Sequence, residues 1–206
     1  MRGLYAITDD RLLDGRLVPA VTAVLAGGCR WVQYRSKQAD ARQRQAEATA
    51  LLAVCREYGA HLLVNDDVLL ARTIGAHGVH LGQQDLSAKQ ARDRLGAEAI
   101  IGVTCHGSLA LAQAAVEAGV DYVAFGRFFS STTKQTASAA PLSVLTAAKQ
   151  QLPVPVVAIG GITLDNAADV IAAGADMLAV VGDIFNCDAI TARSRAYAAL
   201  FTGRNV

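Results

Sequence analysis

Ile74-Gly75-Ala76-His77-Gly78-Val79-His80-Leu81-Gly82-Gln83-Gln84-Asp85 holds one complete instance of the unit that repeats along this chain. A glycine closes a helical segment, a short apolar run follows at once, and polar residues gather where that run ends. Glycine suits the close of a helix because it takes the left-handed conformation at little cost. The same punctuation recurs at Ala26-Gly27-Gly28-Cys29, Ala118-Gly119-Val120-Asp121 and Ala173-Gly174-Ala175-Asp176. The sequences between these marks do not match, so secondary structure repeats here and a solenoid does not.

Outward from that stretch, strands are expected at Leu4–Thr8, Trp31–Arg35, His61–Asn65, Gly78–Leu81, Ala99–Thr104, Tyr122–Phe125, Val156–Ile159 and Met177–Val181. Between them lie Ala-rich segments with helical spacing, among them Ala41–Tyr58, Ser108–Ala118 and Asn166–Ala173. In the first, Ala48, Leu51, Leu52 and Cys55 make one apolar stripe. Strands alternating with helices predict the α/β class, a parallel sheet covered by helices. A closed (β/α)8 barrel and an open doubly wound sheet both satisfy the pattern. The 206 residues sit at the lower end of the barrel range, about 200 residues. No Gly/Ser-rich linker and no shift in composition interrupts the chain, so residues 1–206 are expected to form a single domain.

Hydrophobic residues make up 52% and charged residues 18%, enough for a large core and too apolar for disorder. The net charge of +1 provides no basic field, which argues against nucleic acid as a partner. An anion would have to be held by a local site. No apolar run approaches the roughly 18 residues that cross a bilayer. The opening residues Met1 to Asp10 lack the apolar core of a signal peptide. A cytoplasmic protein with no membrane partner is expected. Cys29, Cys55, Cys105 and Cys187 form no CxxC pair and are expected as free, mostly buried thiols.

Barrels of this kind place their chemistry at the C-terminal ends of the strands. Here nearly every strand delivers polar or glycine residues at that end. Arg35 and Lys37 lie two apart and point to the same side of an extended segment, where they could grip phosphate. A surface pair bridged to a helix acid fits them equally. Asp66 and Asp85 end neighbouring strands, and two hard oxygens beside ligand phosphates suit Mg²⁺. Helix N-capping would account for each Asp separately. His80 and His106 lack zinc spacing and read as packing or hydrogen-bonding residues. Gly160-Gly161 after the seventh strand and Gly182 after the eighth, before Asp183-Ile184-Phe185, suit a second phosphate. From residues alone, the chain reads as an enzyme for two phosphorylated groups, one of them with a metal.

Five strings, taken in order, carry a resemblance: Tyr5-Ala6-Ile7-Thr8-Asp9, Gln33-Tyr34-Arg35-Ser36-Lys37, Val64-Asn65-Asp66-Asp67, the run from Gly78 to Asp85, and Ala158-Ile159-Gly160-Gly161-Ile162. Together they resemble the thiamine-phosphate synthase family over almost the whole chain. The resemblance implies a single-domain (β/α)8 TIM barrel. It implies a transferase that joins 4-amino-2-methyl-5-pyrimidinylmethyl diphosphate to 4-methyl-5-thiazole-ethyl phosphate, giving thiamine phosphate and pyrophosphate by a Mg²⁺-assisted dissociative route. Gln33, Tyr34, Arg35, Ser36, Lys37, Asn65, Thr104 and Lys134 would meet the pyrimidine diphosphate. Asp66 and Asp85 would hold Mg²⁺. Ser131, Thr132, Thr133, Gly161, Val181 and Gly182 would meet the thiazole phosphate. Arg35, Lys37 and Lys134 would neutralise the leaving diphosphate. The partners would be small molecules, with a homodimer possible.

The chain departs from the family's usual Gly-Pro-x-x-Pro-Thr-x-Thr-Lys, reading Gly126-Arg127-Phe128-Phe129-Ser130-Ser131-Thr132-Thr133-Lys134. Loss of both prolines predicts a looser connection over residues 126–141, ordered by the diphosphate through Lys134 and closing the site to water. Thr104 and Gly182 each stand where the family commonly has Ser. An isomerase on a similar barrel, for thiazole or phosphosugar, and a non-catalytic precursor sensor fit parts of the pattern. Arg35, Lys37, Asn65, Asp66, Asp85 and Lys134 together favour the synthase.

Overall fold

The structure, a computed structural model, describes residues 1–13, 15–130 and 140–202. Its strands are β1 (Gly3–Ile7), β2 (Trp31–Tyr34), β3 (His61–Asn65), β4 (Gly78–Leu81), β5 (Ile100–Thr104), β6 (Tyr122–Phe125), β7 (Val156–Ile159) and β8 (Met177–Val180). Each pairs in parallel with the next. β1 also pairs with β8, so Tyr5 lies beside Trp31 on one side and Ala179 on the other. That last pairing closes the barrel and excludes the doubly wound sheet.

The helices that return the chain are α1 (Asp10–Leu13), α2 (Leu17–Ala26), α3 (Ala41–Glu57), α4 (Val68–Ile74), α5 (Ala88–Leu95), α6 (Leu109–Glu117), α7 (Ser143–Gln151), α8 (Leu164–Ala172), α9 (Gly182–Phe185) and α10 (Ile190–Ala199). Element ends differ from expectation by a residue or two, for local reasons. α8 begins two residues early because the Asn166 side chain accepts the Thr163 N–H at 3.0 Å. Thr8, Arg35 and Val181 fall just past their strands. Gly75 ends α4 in the left-handed conformation, φ 69°, as its place in the repeat predicts.

Strand residues alternate between two apolar layers. Leu4 and Ala6 of β1 face the helices, while Tyr5 and Ile7 face the lumen. Tyr5, Trp31, Leu63, Tyr122, Val157 and Met177 fill that lumen, which is therefore a packed core. Because both faces are buried, most strands read as near-continuous apolar runs, broken by the polar residues that reach the mouth. Cys29, Cys55 and Cys105 are buried free thiols, and Cys187 is half-buried.

Candidate active site

Strand parity decides which side chains reach the mouth. In β2 and its exit, Gln33 and Arg35 turn into the barrel and line a cavity of about 650 Å³ at the C-terminal end of the strands. Tyr34 turns the other way. Its ring packs between sheet and helices, and its hydroxyl donates to Glu47 of α3 at 2.7 Å. Period-two alternation sends the Tyr34 side chain to the face opposite the cavity, so what it could offer a ligand there is its backbone. Asn65, Thr104, Gly161, Val181 and Gly182 all line the cavity. Ser36, Lys37 and Asp66 line an adjoining hollow of about 490 Å³, and Asn65 borders both. Ser131, Thr132, Thr133 and Lys134 lie outside the described residues.

The cationic segment is held from β1, by residues to which the sequence pattern gives no role. Thr8 Oγ1 accepts the Arg35 N–H at 2.8 Å and donates to the Arg35 carbonyl at 3.1 Å. Asp9 is buried, with Arg11 at 2.7 Å and Arg35 at 3.7 Å. The hydrogen bond from Arg11 holds the Asp9 carboxyl below the ordinary carboxylate range despite its burial. One oxygen of Asp10 accepts from Ser36 Oγ at 3.0 Å and from the Lys37 and Gln38 N–H groups at 2.6 Å each. Burial pushes the Asp10 carboxyl up, but those donors outweigh it and hold it low. The surface-pair reading of Arg35 fails, since its acid partner is the buried Asp9 beneath the mouth.

Neither Asp66 nor Asp85 caps a helix. The cap of α4 is Asp67, accepting from Leu70 N at 2.9 Å, and the cap of α5 is Ser87, accepting from Gln90 N at 3.2 Å. Asp66 instead sits in the left-handed conformation, φ 63°, at the exit of β3. Asp85 folds back to accept the Gly82 N–H at 2.7 Å. Burial, then a hydrogen bond with Asp85 and the charge of Asp85, push the Asp66 carboxyl up to about 6, opposed by the charge of Lys37. Two crowded carboxyls suit a hard divalent cation, and the lysine beside them suits the anionic oxygens of a ligand. No group of three or more His, Cys, Asp or Glu clusters for a metal among the described residues, so the remaining ligands would be phosphate oxygens and water.

At the far side of the cavity, Gly160 and Gly161 accommodate the chain's own backbone. A side chain on Gly160 would strike Arg127, and one on Gly161, at φ 66°, would strike Phe129 and Ser130. The expectation that these glycines admit a ligand is corrected to that extent: segment 127–130 lies against them. That segment is fixed by Phe129 N–H to the Gly160 carbonyl at 3.0 Å, by Ala140 N–H to the Arg127 carbonyl at 2.7 Å and by buried Phe128. Residues 127–130 thus have packing and backbone hydrogen bonds without the two prolines. Beyond Gly182, Asp183 accepts from the Tyr197 hydroxyl at 2.7 Å and pairs with Arg193 at 3.4 Å; Arg193 also borders the cavity.

Under the cavity runs a chain of buried polar side chains. Gln33 Nε2 donates to the Tyr5 hydroxyl at 2.8 Å. Tyr5 and Tyr122 hydroxyls meet at 3.0 Å, Tyr122 reaches His80 Nδ1 at 2.8 Å, and His80 Nε2 reaches Thr104 Oγ1 at 2.8 Å. His80 thus has the hydrogen-bonding role expected of it. The sequence pattern gives the two tyrosines no role beyond their places in strands. His106 borders the cavity at φ 50°.

The family model for thiamine monophosphate synthase matches residues 4–184. A thiamine-phosphate synthase of Thioalkalivibrio sulfidiphilus is 54% identical over 202 residues, 98% of this chain and 96% of that protein. Among solved structures, thiamine phosphate pyrophosphorylase from Pyrococcus furiosus matches with a TM-score of 0.88 at 32% identity, over 96% of this chain and 94% of that one. The (S)-3-O-geranylgeranylglyceryl phosphate synthase of Thermoplasma acidophilum matches with a TM-score of 0.69 over 97% of this chain and 92% of that one, and at 14% identity shares the fold alone.

Proposed function

Since the chain belongs to the thiamine monophosphate synthase family, we propose that its cavity joins the pyrimidine diphosphate to the thiazole phosphate, with residues 1–206 acting as one catalytic domain. The chain is a transferase that makes thiamine phosphate.

The diphosphate is assigned to the Arg35–Lys37 side of the mouth, where Asn65 joins the two hollows. The pyrimidine ring is assigned to Gln33 and Thr104. The thiazole phosphate is assigned to Gly161, Val181 and Gly182, with Ser131, Thr132 and Thr133. The C–O bond to diphosphate breaks and its electron pair leaves with the diphosphate. The thiazole nitrogen then supplies the pair for the new C–N bond. Arg35, Lys37 and Lys134 stabilise the charge that builds on the leaving oxygens, the point at which preorganised charge acts most. The thiazole nitrogen carries its own lone pair, so no strong general base is required. The rest of the work is positioning, which Thr8, Asp9 and Asp10 supply to the cationic segment. Asp66 and Asp85 fit a divalent cation, Mg²⁺ in this assignment, which when bound would supply further positive charge to the diphosphate.

One observation carries the assignment: Arg35, Lys37 and a crowded pair of carboxyls converge on the same mouth as the cavity. We place the reaction in the cytoplasm; no helix among the described residues is long and apolar enough to cross a membrane. The test is pyrophosphate release. It is expected with both substrates and Mg²⁺ together, and only as slow hydrolysis with the pyrimidine diphosphate alone. Equal release with and without the thiazole phosphate would overturn the assignment.

A further inference from the structure

The buried chain from Gln33 to Thr104 has a direction. Tyr5 and Tyr122 are each 1% exposed or less, so their hydroxyl protons must be used inside the protein. Gln33 Nε2 gives its proton to Tyr5. Tyr5 must then give its own to Tyr122, and Tyr122 must give its own to His80 Nδ1. His80 is thereby the tautomer protonated at Nε2, and it donates to Thr104 Oγ1. Each hydroxyl and ring N–H in the chain is spent once, and Gln33 Nε2 keeps a second N–H outside it. At one end the Gln33 carbonyl oxygen is left to accept. At the other, the Thr104 hydroxyl is left to donate. Gln33, Tyr5, His80 and Thr104 border the cavity, with Tyr122 beneath it. The reverse polarity needs the Gln33 amide turned over and all four hydrogen bonds exchanged together, so the two ends cannot change independently.

The fold is shaped around this chain. A side chain at Gly102 of β5 would collide with the Tyr122 ring. Tyr122 packs edge-on against Tyr5, at 6.0 Å between centroids and 88° between planes, and stacks on His80 at 5.6 Å and 21°. Burial pushes both phenols far above their ordinary range, so neither ionises at neutral pH.

We propose that Tyr5, Tyr122 and His80 are positioning residues that fix the hydrogen-bond polarity of Gln33 and Thr104, and that this polarity selects an aminopyrimidine over its oxo counterpart. The inference rests on the assignment of the pyrimidine to Gln33 and Thr104. An aminopyrimidine offers an N–H donor to Gln33 and a ring-nitrogen acceptor to Thr104. The oxo ring, in its lactam form, offers a carbonyl acceptor and a ring N–H donor, the reverse pattern. A site built to hydrogen-bond one pattern rejects the other strongly, because buried polar groups are left unpaired.

The test is calorimetric binding of the 4-amino and 4-oxo pyrimidinylmethyl diphosphates with Mg²⁺ and without thiazole phosphate. The wild-type protein is expected to prefer the amino compound by about a hundredfold or more. Tyr122→Phe and, separately, Tyr5→Phe should each cut that preference by roughly tenfold, with affinity for the thiazole phosphate unchanged, because each lets one end choose its polarity. Two variants guard against a loss of fold in either, with melting curves as the control. Equal binding of both compounds by the wild type, or an undiminished preference in a folded Tyr→Phe variant, overturns the proposal. Gln33→Leu and Thr104→Val separate it from its premise. If neither weakens the amino compound, the pyrimidine is not bound between them and the premise fails. If both do and the tyrosine variants leave the preference intact, the polarity inference alone fails.

Discussion

If Asp66 holds a cation as proposed, it is where the demands of binding and of folding oppose each other. Its carboxyl is raised from 3.8 to about 6 by burial and by Asp85. The folded protein therefore holds that proton more tightly than the unfolded chain does. The stability it contributes is present at low pH and is lost as pH rises through about 6. Asn mimics the protonated acid and tolerates the left-handed conformation. Asp66→Asn should accordingly melt higher than the wild type at about pH 7.5 without metal, and level with it at about pH 4. With Mg²⁺ and the pyrimidine diphosphate the order should reverse, since only the wild type gains from binding. Asp66→Asn and Asp85→Asn should each lose activity by at least 10–100-fold or so. Melting curves across pH check the first claim and rates at limiting Mg²⁺ the second. Normal rates in both variants would dismiss the metal assignment.

Among the elements, the exit of β1 frames the exit of β2. Asp10→Ala removes three hydrogen bonds from residues 36–38 and leaves Arg35 and Lys37 in the sequence. It should raise KM for the pyrimidine diphosphate by roughly tenfold with little change in melting temperature, because the loss is one of preorganisation. Steady-state kinetics on both substrates read this out; an unchanged KM would reduce Asp10 to a surface residue. Where β5 meets β6, Gly102→Ala should cost about 1–3 kcal/mol of stability by overpacking against Tyr122, seen as a lowered denaturation midpoint. Both dependences were hidden in the sequence. Asp10 and Lys37 are 27 residues apart, and Tyr5 and Tyr122 are 117 apart. What the residues did disclose was local: strand runs, their polar exits, and the glycine that ends α4. Arg35, Lys37 and Asp66 could be picked out because they stand at such exits. The outward turn of Tyr34 was not legible because a motif string carries no parity, and the capping alternative for Asp66 and Asp85 gives way to Asp67 and Ser87, which stand one and two residues further on.

Across the whole molecule, the proposed assignment puts the two anion sites in different sectors of one mouth, served by β2 to β4 on one side and by β7 and β8 on the other. Arg35→Ala should weaken the pyrimidine diphosphate by roughly tenfold to a hundredfold and barely affect the thiazole phosphate. Gly182→Leu should do the reverse. Separate titrations of each variant with each ligand check the map, and equal losses of both ligands would reject it. Closure itself, which no single stretch of sequence could disclose, depends on β1 pairing with β8, as in Tyr5 beside Ala179. That seam has a consequence during synthesis. A ribosome adding about 5–20 residues per second makes Tyr5 many seconds before Ala179. For that interval the nascent chain carries an unpaired strand edge, the kind of surface that invites pairing with another chain. The seam is therefore where a cell's chaperones have most to guard until the last strand emerges.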